Sequence, residues 1–400
     1  MRSRLVKRLS IRWFLTFLAI ALVTTLAGRM AMDAFDVGVV LDDLWPGQPS
    51  TYVQRHAGHH RCSLDQMLEG QWLVGSYTPL EMEEVEAFIR RTRDYHSLPA
   101  TLQRDDNKCG NVNFPDHQWH RAVCNPKGAT PCCMDNVCVN KTVQECVCPE
   151  CYDMRQSVHA EFATWIPENS TCKLEQFKTE EDACRVLQNK TVYFIGDSFM
   201  RQLYTSLLAV LRDKKPRHVL RHDVSEAEVH KCDKYYRYFA DCRTNLIWNT
   251  QECKGTVTLK MEYVSKYQHS IMRLMKDLRG KNDSWFIIGL GSHYFFDFEQ
   301  VRDNILNRML NRLSPWPRVI WMAAQAPGTL KTPLEKRQQT PALLSFNEKV
   351  KAVLEGRGVA ILNYFQLTNG TVSYDGTHYG KGVNDAKLQV LLNFLKGETI

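Results

Sequence analysis

The chain has 400 residues, of which 44% are hydrophobic, and this is enough for one large domain with appendages or for two domains. Its formal net charge is +7, but five basic residues and no acidic residue lie within positions 1–12, which leaves +2 for the rest of the chain. A nearly neutral body excludes the broad basic surface on which nucleic-acid binding depends, so no nucleic-acid partner is expected.

Residues 13–28 form an apolar run directly behind the basic leader. The run is shorter than the ~20 residues that a bilayer requires, but snorkelling arginines at its ends lengthen it, and we predict a transmembrane signal anchor over 13–32. The positive-inside rule then places residues 1–12 in the cytosol and the rest in the lumen, as in a single-pass type II protein of the Golgi or ER membrane. The alternative is a signal peptide cleaved near 26–28, which makes the protein secreted.

Residues 33–77 are predicted to form a stem, because positions 33–61 have no sustained periodicity and contain proline and glycine. His56, His59 and His60 lie in this stretch. They have no cysteine or aspartate partner in register, so no metal site is predicted there.

A helix is predicted to begin directly after the stem. Thr78 suits the N-cap, Pro79 the first helical position and Glu81 the third. The apolar face of this helix is formed by Val85, Phe88 and Ile89. With the cysteine-rich stretch that follows, the helix is predicted to form a disulfide module over 78–184.

Fourteen cysteines, an even number, indicate an oxidising secretory compartment. The sequons for N-glycosylation give the same indication, and they lie at Asn140, Asn169, Asn189, Asn282 and Asn369. Eight cysteines fall within one short segment that is too small for a hydrophobic core, so disulfides must staple it: Cys109, Cys124, Cys132, Cys133, Cys138, Cys146, Cys148 and Cys151. The last three also have the spacing of zinc ligands, but a lumenal chain favours disulfides, and no metal is expected.

The adjacent Cys132 and Cys133, the Cys109-Gly110 start and the count of eight are similar to the hevein-type chitin-binding module. The resemblance implies the pairs Cys109–Cys133, Cys124–Cys138, Cys132–Cys146 and Cys148–Cys151. Where that family presents aromatic rings to sugars, this chain has Met134-Asp135-Asn136-Val137. A structural role for the segment is therefore favoured over sugar binding.

Apolar runs and helical periodicity alternate in the remaining part, 185–400. Candidate strands are 192–195, 285–290, 319–323 and 359–362, and candidate helices are 199–212, 299–313, 342–354 and 381–395. This alternation predicts an α/β fold, with a parallel sheet covered by helices on both faces and ligand chemistry at the carboxyl ends of the strands. An insertion between the first two strands contains Cys232, Cys242, Cys253, Tyr235, Tyr236, Tyr238 and Phe239, and it is either a wall of a substrate cleft or a disulfide-pinned loop.

Two short motifs follow candidate strands. Gly196-Asp197-Ser198 separates a buried strand from a helix, so a hydroxyl lies beside the free N–H groups of a helix N-terminus. Tyr374-Asp375-Gly376-Thr377-His378 supplies an imidazole together with a carboxylate that can fix its tautomer. The 291–293 segment and Gln325 also follow strands, so all of these groups are expected at one edge of the sheet.

Gly196-Asp197-Ser198, Arg201 and Asp375-x-x-His378 resemble the SGNH/GDSL hydrolase superfamily, and within it the PC-esterase branch, which includes glycan O-acetyltransferases. The resemblance covers roughly 185–398 and implies a doubly wound parallel sheet, with Ser198 as nucleophile, His378 as base and Asp375 as its orienting carboxylate. Where the superfamily usually has an oxyanion-hole Asn, this chain reads Gly289-Leu290-Gly291-Ser292-His293. Oxyanion or substrate contacts are expected from Gly291, Arg201 and His293, with structural roles as the alternative for the last two.

The residues and the resemblance together predict a lumenal serine acyl-transfer enzyme that acts on O-acyl groups of a glycan or glycoprotein. A carbohydrate O-acetyltransferase is favoured. The alternatives are a carbohydrate acetylesterase and a catalytically inactive glycan-binding or adhesion protein. No bound cofactor is expected, although a transferase needs an acyl donor, such as acetyl-CoA or another acetyl ester.

Overall fold

The computed structural model describes residues 62–212, 216–232 and 237–398. The predicted tail, anchor and most of the stem, as well as Tyr235 and Tyr236, lie outside these described residues. Among the helices that are described, none is both long and apolar enough to cross a membrane. Residues Gly58–Ile400 form one compact unit, so the segments 78–184 and 185–400 belong to the same body.

The strands are short; half of those in the described residues form one central sheet, and the others form three two-stranded sheets. In chain order they are β1 (Gly70–Val74), β2 (Asn113–Phe114), β3 (His117–Arg121), β4 (Cys132–Met134), β5 (Val137–Val139), β6 (Ala163–Pro167), β7 (Thr191–Gly196), β8 (Asn249–Glu252), β9 (Val257–Tyr263), β10 (Ser284–Gly289), β11 (Arg318–Met322) and β12 (Ala360–Leu362).

The α-helices surround this sheet and link its strands. They are α1 (Leu64–Leu68), α2 (Pro79–Tyr95), α3 (Glu180–Leu187), α4 (Ser198–Leu211), α5 (Glu226–Lys231), α6 (His269–Asp277), α7 (Phe298–Val301), α8 (Asn307–Leu310), α9 (Thr340–Leu354), α10 (Phe365–Thr368) and α11 (Lys381–Gly397). A π-helical segment, Arg302–Leu306, joins α7 to α8.

The central sheet has the strand order β12-β11-β10-β7-β9-β8. Its first five strands in this order are parallel, and β8 pairs antiparallel with β9 at the edge. The order of the parallel strands along the chain reverses between β7 and β10, and such a switch point leaves a crevice at the carboxyl ends of the strands. Gly196 pairs with Gly289 at that point, where a methyl group on Gly196 would lie 2.3 Å from the Gly289 carbonyl oxygen.

Both faces of the sheet are buried, as the uninterrupted apolar runs predict. Val192 and Phe194 of β7 pack into the cluster that contains α4 and α11. Ile195 points to the opposite cluster, which contains α6 and α9. The prediction of a mixed α/β fold around a mostly parallel sheet is confirmed. The predicted strands agree with the observed ones to within one residue at each end, and the helices predicted over 199–212, 342–354 and 381–395 agree to within two. The single helix predicted over 299–313 is instead α7, the π-helical segment and α8, which ends at Leu310.

The sequence pattern does not predict β9, which lies in the interval treated above as an insertion. Its residues alternate apolar and polar, and Val257, Leu259 and Met261 are the buried set. The candidate strands above were uninterrupted apolar runs, and β9 does not have that pattern. It is half-polar because its position beside the edge strand leaves one of its faces less covered. The insertion is therefore shorter than expected.

The part of the chain nearest the predicted stem is folded from residue 62 onwards. Cys62 is bonded to Cys172, and β1 pairs antiparallel with β6. The Trp72 indole N–H donates to the Leu367 carbonyl oxygen over 2.9 Å. The stem expected over 33–77 thus ends earlier, because residues 64–74 pack on the compact unit.

All fourteen cysteines are paired. The four bonds implied by the hevein-type resemblance are present, and the other three bonds are Cys62–Cys172, Cys184–Cys253 and Cys232–Cys242. The cysteines with zinc-like spacing are therefore disulfide-bonded and have no thiolate to offer a metal. Asn140, Asn189, Asn282 and Asn369 are exposed, and Asn169 is half-buried, so each sequon lies at the surface.

Candidate active site

Ser198 is the first residue of α4, directly beyond the carboxyl end of β7. Asp197 caps the helix, because its Oδ1 accepts a hydrogen bond of 3.1 Å from the Phe199 N–H. The first N–H groups of a helix have no intrahelical acceptor, so the turn around Ser198 presents backbone donors to a ligand. The short apolar strand and the Asp cap therefore hold a half-buried hydroxyl at the switch point of the sheet.

His378 lies against Ser198, with 2.7 Å between the imidazole Nε2 and the Ser198 Oγ. On the other side of the ring, Nδ1 lies 2.7 Å from Asp375 Oδ2. A carboxylate facing Nδ1 keeps the proton on that nitrogen, which leaves Nε2 free to accept the proton of the serine. His378 thus contacts both of the other residues that the sequence predicts as catalytic, Ser198 and Asp375.

Asp375 is held in its ionised form. Burial alone raises the pKa of this carboxyl, but the charge of His378 and hydrogen bonds from His378 and Thr377 outweigh burial, so its pKa lies below the usual range. The backbone N–H groups of Thr377 and His378 donate to Asp375 Oδ1 over 2.9 and 2.6 Å. The loop between the two residues therefore orients the carboxylate before any substrate binds.

The segment after β10 is joined to the turn that carries Ser198. The Ser292 hydroxyl donates to the Asp197 carboxylate, which is 1% exposed. Burial raises the pKa of Asp197. Gly291 is buried beside this contact, whereas the neighbouring His293 is exposed. Asp197 thus holds the turn and the β10 loop together, and Gly291 and His293 both lie in the segment that this bond joins to the serine turn.

Arg201 is buried and binds the insertion. Its Nη1 donates to the Phe239 carbonyl oxygen over 3.3 Å, and its Nη2 donates to the Tyr238 carbonyl oxygen over 3.0 Å. Its Nε has no hydrogen-bond partner among the described residues. These contacts fit the structural alternative for Arg201, since both terminal nitrogens are used to hold the chain at 238–239.

A second network supports the loop that carries Asp375 and His378. The Gln325 amide donates to the Thr377 carbonyl oxygen over 3.2 Å, and the Lys387 ammonium donates to Gln325 Oε1. The Lys331 ammonium donates to Thr377 Oγ1 over 2.9 Å. Burial lowers the pKa of Lys387 to about 7. The sequence reasoning missed Lys387, although a lysine four residues after Val383 on the apolar face of a helix is a detectable signal.

Two histidines from the amino-terminal half lie beside the same loop, and nothing in the sequence indicated them. His96, at the end of α2, places its Nε2 4.0 Å from Asp375 Oδ2. The His120 ring, on β3, lies 4.8 Å from the His96 ring between centroids. The disulfide-rich segment therefore forms part of the wall around the residues predicted as catalytic.

Among the described residues, the group of side chains close enough to share a metal ion is Cys109, Cys124 and Cys138. Each of these is disulfide-bonded. The hydroxyl of Ser198, the imidazole of His378 and the carboxylate of Asp375 are arranged for nucleophilic attack on an acyl group with proton transfer.

The model of a protein family described as NXPE family member 4-like, C-terminal domain, matches residues 165–395, which is more than half of the chain. The match includes Ser198, Asp375 and His378, and it begins before residue 185, where the sequence predicted the catalytic domain to start. No curated protein sequence matches the chain.

Proposed function

The chain belongs to the NXPE family, and we propose that it is a serine acyl-transfer enzyme. This family is related to the SGNH/PC-esterase acyltransferases. The observation that carries the proposal is the chain of two 2.7 Å contacts from Ser198 Oγ through His378 to Asp375. The cap of the helix, the switch point of the sheet and the rigid loop all position this contact. A serine at the surface with no role in chemistry needs no such arrangement.

In the proposed first step, Ser198 Oγ attacks the carbonyl carbon of an acyl donor while its proton passes to His378 Nε2. The tetrahedral intermediate collapses with loss of the leaving group, which takes that proton from His378. The product is an ester between the acyl group and Ser198. Asp375 stabilises the imidazolium in both directions without itself taking the proton.

In the second step, a hydroxyl of the acceptor attacks the acyl-serine ester. His378 removes the proton of that hydroxyl and returns a proton to Ser198 Oγ as the serine leaves. We assign the oxyanion contacts to the backbone N–H groups of Ser198 and Gly291, since the helix N-terminus supplies preorganised donors. Arg201 is left out of the oxyanion hole because it binds the insertion.

We further propose that the acceptor is a sugar hydroxyl and that the transferred group is acetyl, from acetyl-CoA or another acetyl ester. Support comes from the seven disulfides and the surface position of all five sequons, which suit a chain that works in the secretory lumen among glycans. The proposed location is the Golgi or ER membrane, with the anchor at 13–32 and the folded part in the lumen.

The proposal is tested by labelling the full-length protein with a fluorophosphonate probe and mapping the modified residue. We expect labelling of the wild type and loss of labelling in Ser198→Ala. Ser345→Ala, which removes an exposed hydroxyl on α9, is the matched control and should label like the wild type. A folded protein that takes no label, or takes it at another serine, contradicts the assignment and favours the inactive glycan-binding alternative.

An acetylesterase uses the same covalent intermediate, so a second measurement separates the two activities. The wild type is incubated with an acetyl donor and an acceptor glycan, and the mass of the glycan is followed together with free acetate. A gain of one acetyl group per glycan identifies a transferase. Release of acetate with no change in the glycan identifies an esterase.

A further inference from the structure

A surface groove of about 810 Å³ lies between the end of α2 and the hairpin formed by β2 and β3. We call it the aromatic groove, and the side chains that matter in it are those of Tyr95, His96, His117, Trp119, His120 and Leu334. The mechanism above uses none of them. Five of the six lie in the helix and disulfide module predicted over 78–184, which was expected to have only a structural role, and Leu334 is the exception.

The aromatic groove adjoins the catalytic residues. His96 lines the groove, and its Nε2 lies 4.0 Å from Asp375 Oδ2. The His378 ring connects that carboxylate to the Ser198 hydroxyl, with one hydrogen bond on each side of the ring. A chain molecule with one unit at Ser198 therefore needs only to continue past the loop at 375–378 for its next units to reach the groove.

The wall of the groove is fixed rigidly to the catalytic loop. The Arg121 N–H, at the end of β3, donates to the Leu330 carbonyl oxygen over 2.8 Å. The Arg121 side chain donates to the Gly110 carbonyl oxygen over 2.8 Å and to Gln339 Oε1 over 2.9 Å. Lys331, next along the chain, holds Thr377. The groove is therefore already formed, and little conformational entropy is lost when a ligand binds.

Disulfides hold the same hairpin from the other side. Cys109 precedes β2 and is bonded to Cys133, and Cys124 follows β3 and is bonded to Cys138. The β2–β3 hairpin is thus bracketed by two covalent links. The disulfides of this segment therefore hold the exposed ring of Trp119 beside the loop at 375–378.

The chemistry of the groove suits a neutral, hydroxyl-rich ligand. Trp119 is 51% exposed and Tyr95 is 53% exposed, so each offers an open aromatic face. Burial lowers the pKa of His96, and burial together with the charge of His96 lowers the pKa of His120 to about 4. Near neutral pH these imidazoles are uncharged, and each has one donor and one acceptor nitrogen. An anion finds no fixed positive charge on them, whereas a hydroxyl finds both kinds of partner.

We propose that the aromatic groove is a subsite for a neighbouring sugar of the acceptor glycan, with a pyranose ring packed on Trp119 and its hydroxyls hydrogen-bonded by His96 and His117. A pyranose has an apolar C–H face and a polar rim, and an aromatic ring flanked by polar groups matches both. The inference rests on the proposed function, because it takes the reacting sugar to be at Ser198. The proposal assigns glycan recognition to the disulfide-rich half of the chain. The hairpin that it uses is not the stretch at 134–137, where the hevein-type family presents aromatic rings to sugars.

Binding is measured separately from turnover by using full-length Ser198→Ala protein. A fluorescently labelled pool of N- and O-linked oligosaccharides, released from secretory glycoproteins, is passed over this protein, and the retained oligosaccharides are then titrated. We expect Trp119→Ala, made in the same background, to weaken their binding on the order of tenfold. Val147→Ala is the matched control, because Val147 is 73% exposed in the same disulfide-rich segment and does not line the groove.

Trp119→Phe and His117→Ala complete the set. The phenylalanine keeps an aromatic face and should restore most of the affinity, whereas loss of the His117 imidazole should weaken binding without any change at the tryptophan. Thermal unfolding confirms that each variant is folded. Equal affinity in Trp119→Ala and Val147→Ala overturns the proposal that the aromatic groove binds a sugar. The absence of any retained oligosaccharide overturns it as well. Failure of the proposed function is a different result, namely that the wild type takes no label at Ser198.

Discussion

The His378 Nε2 lies 2.7 Å from the Ser198 Oγ, although 180 residues separate the two in the chain. The contact is possible because Ser198 follows β7 at the switch point of a parallel sheet, and the loop with His378 leads into α11, which packs against α4. The covalent chemistry proposed for this protein requires this contact.

Replacing Asp375 by Asn tests whether the carboxylate orients the imidazole. The amide retains the shape but no longer holds the proton on His378 Nδ1, so we expect kcat for p-nitrophenyl acetate to fall by about 10⁴-fold. Asp105→Asn, at an exposed site outside these contacts, is the control. Turnover by the Asp375 variant within tenfold of the wild type would contradict the assigned role.

Replacing Ser292 by Ala tests the link between the β10 loop and the turn that carries Ser198, the proposed nucleophile. The Asp197 carboxylate would lose its hydroxyl donor in a site that is 1% exposed. We expect the free energy of unfolding in urea to fall by about 1–3 kcal/mol and labelling of Ser198 to slow. The same measurements on Ser345→Ala should match the wild type. Unchanged stability and labelling in Ser292→Ala would show that the link is dispensable.

Lys387 predicts a dependence of stability on pH. Burial lowers its pKa from 10.5 to about 7, so between these values the unfolded chain binds more protons at this residue than the folded protein. The free energy of unfolding must therefore rise with pH in that window. Below the window, the buried Lys387 is charged and its destabilising effect on the folded protein is greatest. We expect Lys387→Met to remove this contribution between about pH 7 and pH 9, in urea unfolding with the disulfides intact.

Lys276→Met is the control for that experiment, since Lys276 is exposed on α6. It should keep the pH dependence of the wild type. Identical slopes in the two lysine variants would mean that Lys387 does not titrate in this range.

Arg201→Lys separates a structural role from an oxyanion role. Lysine keeps the charge but cannot reach the Tyr238 and Phe239 carbonyl oxygens with two nitrogens, so we expect faster hydrogen exchange in the insertion around 237–242. Loss of these charge-assisted bonds should also lower the free energy of unfolding by about 3 kcal/mol. A fall in kcat of about 10²-fold or more, with unchanged hydrogen exchange, would instead indicate that Arg201 stabilises the oxyanion.

Local patterns were enough to predict the parts of the site that lie within a few residues of one another. The uninterrupted run before Gly196 predicted a strand buried on both faces, and the change of period after it predicted α4. The Asp375-x-x-His378 spacing predicted a base with its orienting carboxylate, because both side chains lie on one turn. Cysteine count and sequons predicted disulfides in the same way, from composition alone.

Tertiary structure decided everything that depends on distant segments meeting. The alternating β9 lies beside the edge of the sheet, Lys387 reaches Thr377 only through Gln325, and Arg201 binds carbonyl oxygens 37 and 38 residues away. His96 reaches Asp375 from the other half of the chain and His120 packs beside His96, although neither lies in a local motif. Sequence periodicity reports which face of an element is buried, but only the order and register of the strands determine which side chains come together. Local sequence patterns therefore indicated the candidate reacting groups, and the fold decided what surrounds them.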